Sequence, residues 1–185
     1  LLSELVAEVA DDFHPLAEAK RIRIVQNITA SECFVVLEMD SIIRALANLF
    51  DNAVKFSPEG GVIDVHLTAA AREGRDGYAL SIRDHGDGID PALLPRLFGR
   101  FQRAEGDQPA GEARRPSGFG LGLSYVAAVV ERHDGHASAA QAEGGGARFT
   151  LWFPAADFAD VPPIDGYDSP APDSASSADS SESVT

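Results

Sequence analysis

Asn48-Leu49-Phe50-Asp51-Asn52-Ala53-Val54-Lys55-Phe56-Ser57-Pro58-Glu59-Gly60-Gly61 is the stretch that decides the fold. Across it and just upstream, Ile42, Ile43, Leu46, Leu49, Ala53 and Phe56 recur at helical spacing, and Asp40 stands where an N-cap would accept the free amides. Pro58 stops the helix, and the two glycines turn the chain into an alternating strand from Val62 to Thr68. On the helix, Asn48, Asn52 and Lys55 lie four and three residues apart, which stacks two amides and one ammonium on a single face.

Such a face suits a divalent cation with phosphates. Magnesium takes oxygen ligands and keeps several waters, so one or two amide oxygens suffice beside a nucleotide. A solvated polar face that meets no ligand fits the helix alone equally well.

Downstream, Tyr78 to Arg83 alternates apolar and polar residues and runs into Asp84-His85-Gly86-Asp87-Gly88-Ile89. A carboxylate at a strand end can accept from an exocyclic amine such as that of adenine, and the glycines let backbone approach a flat ring; an ordinary Asp/Gly turn is the alternative. Gly118-Phe119-Gly120-Leu121-Gly122-Leu123 precedes an apolar helix from Leu121 to Arg132. Its amides and the helix dipole would cradle phosphate, or the glycines would simply permit close packing. No GxxxxGK[ST] is present, the glycine run does not follow a strand, and neither HRD nor DFG occurs. These absences exclude the P-loop, dinucleotide and protein-kinase patterns.

Other helical and strand patterns cover Leu1 to Ala19 (helix) and Arg21 to Ile28, Phe34 to Glu38, Ala137 to Gln141 and Ala147 to Phe153 (strands). A turn around Gly74 and Gly77 joins the central hairpin. The sum is an α/β two-layer sandwich, a mixed β-sheet covered by helices on one face.

Taken in order, NLFDNAVKFSPEGG, DHGDGID, LFGRFQRA and GFGLGL resemble the N, G1, F and G2 boxes of the GHKL ATPases, and specifically of sensor histidine kinases. The resemblance spans Leu1 to Pro154 and implies the Bergerat-type ATP-binding fold. It implies that Asn48 and Asn52 handle magnesium, Lys55 the phosphates, and Asp84 the adenine amine. Gly86, Gly88 and Ile89 would form the adenine pocket, and Gly118, Gly120, Leu121, Gly122 and Leu123 the glycine-rich phosphate side. Phe98 and Phe101 would anchor a mobile ATP lid over about residues 102–118, a stretch rich in Gly, Pro, Ala and charge with no apolar period. Arg103 would either reach the phosphates or sit exposed at a helix end.

Gyrase-like, mismatch-repair, heat-shock chaperone and anti-sigma members of this superfamily carry a glutamate four residues before the metal-binding asparagine. Here that position is Asn48. A glutamate can activate water or a serine hydroxyl, whereas an amide cannot take the proton. An imidazole acceptor is already nucleophilic near neutral pH and needs less help. The resemblance therefore implies phosphoryl transfer to histidine, with a nucleotide-gated interaction module or an anti-sigma serine kinase as the alternatives.

No acceptor is evident within the chain. Histidine kinases place it in a box resembling H-[ED]-x-R-x-P-L, and none of His14, His66, His85, His133 or His136 has that context. His14 fits a packing or surface position, His133-Asp134-Gly135 fits a helix stop, and His85 fits a solvent-facing position. The threonine that gyrase-like relatives use in the late strand is replaced by Ala147. The implied partners are ATP or ADP, a histidine-bearing dimerisation domain of the same parent protein, and a response-regulator receiver domain, with dimerisation expected in the full-length protein.

The 185 residues fit one domain plus a tail, and 44% hydrophobic content supplies a core. The single Cys33 rules out an internal disulfide or a cysteine metal cluster and suits a reducing compartment. No apolar run nears the roughly 20 residues that cross a bilayer. The resemblance implies a cytoplasmic domain of an inner-membrane sensor. A net charge of −14 disfavours binding to the nucleic-acid backbone. Half of that charge lies in 155–185, with seven acidic and no basic residues among Pro, Ser and Ala. That composition buries too little apolar surface to offset ordering entropy, so a disordered tail is expected beyond a domain of residues 1–154.

Overall fold

The computed structural model describes residues 1–30, 32–99 and 122–157. The expectations for the lid over 102–118, for Phe101, Arg103, Gly118, Gly120 and Leu121, and for nearly all of the acidic tail lie outside these residues.

Helix α1 (Leu2–Ala19) presents Leu2, Leu5, Val6, Val9, Ala10 and Ala17 to the interior, the stripe that its spacing dictates. It leads into β1 (Arg23–Ile28), which pairs in parallel with β2 (Val62–Ala69). Helix α2 (Met39–Phe56) joins these two strands. A hairpin follows into β3 (Gly77–Arg83), then α3 (Gly122–Arg132), β4 (His136–Gln141) and β5 (Ala147–Pro154). The sheet order is β1-β2-β3-β5-β4, and every pairing except β1 with β2 is antiparallel.

Alternation along the strands sends Ile63, Val65, Leu67, Leu80, Ile82, Phe149, Leu151 and Phe153 to the helical side, where they share one core with Ile42, Leu46, Leu49, Phe50, Val126 and Val130. Asp64 and His66 fall on the opposite side of β2. Phe13 of α1 stacks on Phe50 of α2 with ring centroids 5.5 Å apart, fixing the two helices to each other. The expected two-layer mixed sheet is therefore present.

Two local expectations are corrected. Residues 34–38 form no strand. Their alternation is satisfied as a strap: Cys33 O accepts from Leu2 N–H (2.9 Å) and Phe34 O accepts from Ala156 N–H (2.8 Å), so their neighbours are a helix start and the chain beyond β5. Nor does Asp40 cap α2. The helix begins two residues earlier with Glu38 at the N-cap, and Asp40 falls in the first turn, where its charge still favours the positive end of the dipole. The start of α2 is tied instead to the end of α3. Glu38 N–H donates to His133 Nε2 (2.8 Å), His133 Nδ1 donates to Val129 O (2.7 Å), and Arg132 pairs with Glu38. His133 thus serves as the helix stop and also as a bolt between two helices.

Candidate functional site

Asp84 directly follows β3 at 3% exposure, one of two buried polar residues among those described. Its Oδ1 accepts from Gly86 N–H (2.9 Å) and from Ala147 N–H (3.1 Å). Both amides converge on one oxygen of the carboxylate, Oδ1.

The turn after Asp84 is packed from two sides. A Cβ at Gly86 would lie 2.2 Å from Phe56 O, so this turn rests directly on the last residue of α2. A Cβ at Gly146 would lie 1.9 Å from Asp84 O, so the β4–β5 turn closes on the other side. Arg83 clamps that turn with Nη2 donating to Glu143 O (2.7 Å) and Gly145 O (3.3 Å). Phe56 is 57% exposed beside this turn, and the Lys55 ammonium stands 5.1 Å from the ring centroid.

Helix α2 runs unbroken through Asn48, Asn52 and Lys55, which places them along one side, flanking the buried stripe of Leu46, Leu49, Phe50 and Ala53. Asn48 Nδ2 donates to Arg44 O (2.9 Å), which fixes its amide with Oδ1 toward the start of α3; a Cβ at Gly122 would sit 2.9 Å from that oxygen. The first helical glycine and the first asparagine therefore meet. Ile89, Phe98 and Leu123 are half-buried against the core, with Phe98 just after a short 3₁₀ turn at Leu94–Arg96. The structure thus sets Asp84 and Gly86 at the C-terminal end of α2 and Gly122 against Asn48 farther back on the same helix, with Asn52 and Lys55 between them along its side.

None of the five histidines enters this group as a ligand-facing residue. His14 is half-buried beside Asp11 (3.5 Å). His85 is exposed, as expected, and its Nε2 lies 2.8 Å from Asp64 Oδ2, across on the helix-free side of the sheet. His66 and His136 are exposed on strands.

Residues 38–157 match the family of histidine kinase-, DNA gyrase B- and HSP90-like ATPases. The chain belongs to this family. It is 37% identical over 123 residues to the sensor histidine kinase component HK1 of Mycobacterium tuberculosis, covering 66% of each chain. It is 33% identical over 154 residues to the sensor histidine kinase TmoS of Ectopseudomonas mendocina, covering 83% of this chain and 15% of that one. The solved mycobacterial sensor histidine kinase MprB superposes with a TM-score of 0.69 at 28% identity, covering 83% of this chain and 95% of that one. The chain spans about a third or less of the longer curated sensor kinases it matches, such as 32% of RppB of Synechocystis.

Three residues that shape the site of this ATPase domain carry no sequence motif. Lys20, at the end of α1, donates Nζ to Val54 O (2.8 Å) and Lys55 O (3.1 Å), capping the carbonyl end of the asparagine helix where a cation is favoured. Gln141 bonds the backbone at Ile89 (2.7 Å). Gly146 brings the β4–β5 turn against the backbone of Asp84. Among the described residues, no helix is long and apolar enough to cross a membrane.

Proposed function

We propose that this chain is the ATP-binding catalytic domain of a sensor histidine kinase, comprising residues 1–154 with an acidic tail, and that it donates the γ-phosphoryl group to a histidine on a separate dimerisation domain. The observation that carries this is the junction of Gly86 with Phe56 O. It holds the Asp84 carboxylate, suited to an adenine amine, at a fixed offset from the Asn48–Asn52–Lys55 side of α2, suited to phosphates.

Asp84 Oδ2 selects an amine-bearing base, because Oδ1 is held by Gly86 and Ala147. Asn48 Oδ1 and the Asn52 amide supply neutral oxygens, a donor set that fits magnesium already carried by phosphates. Bound there, magnesium would neutralise phosphate charge. Lys55 adds one positive charge near the same end, and Phe56 offers an apolar ring beside the base. Phosphoryl transfer is largely positioning and charge neutralisation, so these residues suffice without a base on α2. The γ-phosphorus–oxygen bond to the β-phosphate breaks, a phosphorus–nitrogen bond to the acceptor imidazole forms, and ADP leaves. Asn48 in place of a glutamate leaves water unactivated, which favours histidine over hydrolysis. The phosphohistidine would then serve a receiver domain of a response regulator, and the parent protein would be a membrane-anchored sensor with this domain in the cytoplasm.

Radiolabelled ATP tests the proposal. Alone, the chain should hydrolyse ATP slowly and take up no label. Mixed with a dimerisation fragment bearing an H box from the same parent, it should produce an acid-labile label on that fragment. Fast turnover or nucleotide-driven dimerisation of the chain alone would refute the histidine assignment, and an acid-stable serine product would replace it with serine kinase activity.

A further inference from the structure

Gln141 is the last residue of the edge strand β4 and is exposed, yet its side chain lies on the loop that follows Asp84. Its Oε1 accepts from Ile89 N–H at 2.7 Å. A Cβ placed on Gly88 would lie 2.1 Å from that Oε1, 2.2 Å from Nε2 and 2.5 Å from Cδ, so the whole amide lies against the bare backbone of Gly88. The near end of the same loop is fixed from within, by Asp84 Oδ1 on Gly86 N–H and by Phe56 O under Gly86. Its far end, from Asp87 to Ile89, has Gln141 as its side-chain partner among the described residues.

We propose that Gln141 is a positioning residue of the nucleotide site, a latch from the sheet edge that holds the far end of the Asp84–Ile89 loop in its binding conformation. This rests on the nucleotide assignment above. An unlatched loop must be ordered when the base binds, and that ordering opposes affinity. The function belongs to the acceptor oxygen and to the reach of the side chain. Glutamate keeps both, whereas methionine keeps the reach and removes the acceptor. Because the side chain is exposed, neither substitution threatens the core.

The experiment uses the full 185-residue chain with ADP, measuring affinity by calorimetry and amide hydrogen exchange by mass spectrometry or NMR. Gln141→Met should weaken ADP binding by about three- to tenfold, the loss of one hydrogen bond. It should speed exchange at Ile89 N–H while leaving β5 amides protected. Gln141→Glu should restore both affinity and protection, which a merely bulky filler would not do. Asp84→Asn runs in parallel. If Asp84→Asn weakens binding but Gln141→Met does not, or if Glu fails to rescue, the latch is overturned while the nucleotide assignment stands. If neither the parent chain nor any variant binds ADP, the nucleotide assignment fails and takes the positioning role with it. Unchanged exchange at Ile89 in Gln141→Met overturns the latch whatever the affinities.

Discussion

Gly144 and Gly146 offer a controlled separation of backbone strain from steric collision. Their φ values are +82° and +83°, so a methyl group at either forces an L-residue into the same left-handed conformation, at a cost of about 1–2 kcal/mol. The space around them differs. A Cβ at Gly144 meets only Arg83 Nη2, at 3.9 Å, an ordinary contact with a movable side-chain end. A Cβ at Gly146 meets Asp84 O at 1.9 Å, Asp84 C at 2.7 Å and His85 Cα at 2.9 Å, all of it backbone. Gly144→Ala should therefore lose only the conformational cost. Gly146→Ala should lose that plus roughly 1–3 kcal/mol for overpacking. Urea unfolding and thermal melts read the difference, at about 2–4 °C per kcal/mol for a chain of this size. Nucleotide binding should split the pair more sharply. Gly146→Ala pushes apart Asp84 and Ala147, whose N–H orients the carboxylate, so ADP affinity should fall at least tenfold; Gly144→Ala should bind nearly as the parent does. Equal losses for the two variants, in stability and in ADP affinity, would refute the close approach of the turn to Asp84.

Asp84→Asn should weaken adenine nucleotides by roughly 10–150-fold, the equivalent of about 1.5–3 kcal/mol, because the two backbone amides hold the oxygen and turn the new NH₂ toward the ligand amine; calorimetry showing equal binding would remove Asp84 from the base. Asn52→Ala should reduce ADP affinity much more with magnesium than without it, and an equal loss in paired titrations would remove Asn52 from the metal. Asp134 holds φ +53° at the end of α3, so Asp134→Gly should stabilise the chain by several tenths to about 1 kcal/mol in urea melts, and a destabilised variant would show that its side chain matters there. Burial raises the Cys33 thiol above its ordinary 9.0, opposed by hydrogen bonds with Ser3. The neutral thiol is the form that the fold favours. Its contribution is thus full below pH 9 and declines as pH rises past that value, where the unfolded chain ionises first. Cys33→Ala should flatten this alkaline loss in pH-dependent melts, and an unchanged slope would assign the loss to other groups.

Much of this domain was legible because its signals are periodic or local. The helical rhythm from Ile42 to Phe56, the alternation of Val62 to Thr68 and the Pro58 and glycine stops fix elements whose apolar faces have only one place to go, and the two-layer sheet follows. Asn48, Asn52 and Lys55 share a side because helix geometry requires it. Phe34 to Glu38 misled because alternation reports burial on one side, while a strand also needs a free neighbour for its amides, and this segment meets a helix start and the chain after β5. Asp40 misled because helix ends are decided by which neighbours hold them, here Arg132 and His133. Tertiary structure alone decided the supports of the site: Lys20 on the carbonyls of α2, His133 on Glu38, and Gln141 on Ile89 join residues 34, 95 and 52 positions apart. Each is one side chain meeting one backbone group, with no period and no motif to announce it, and exists only once packing has brought the two segments together.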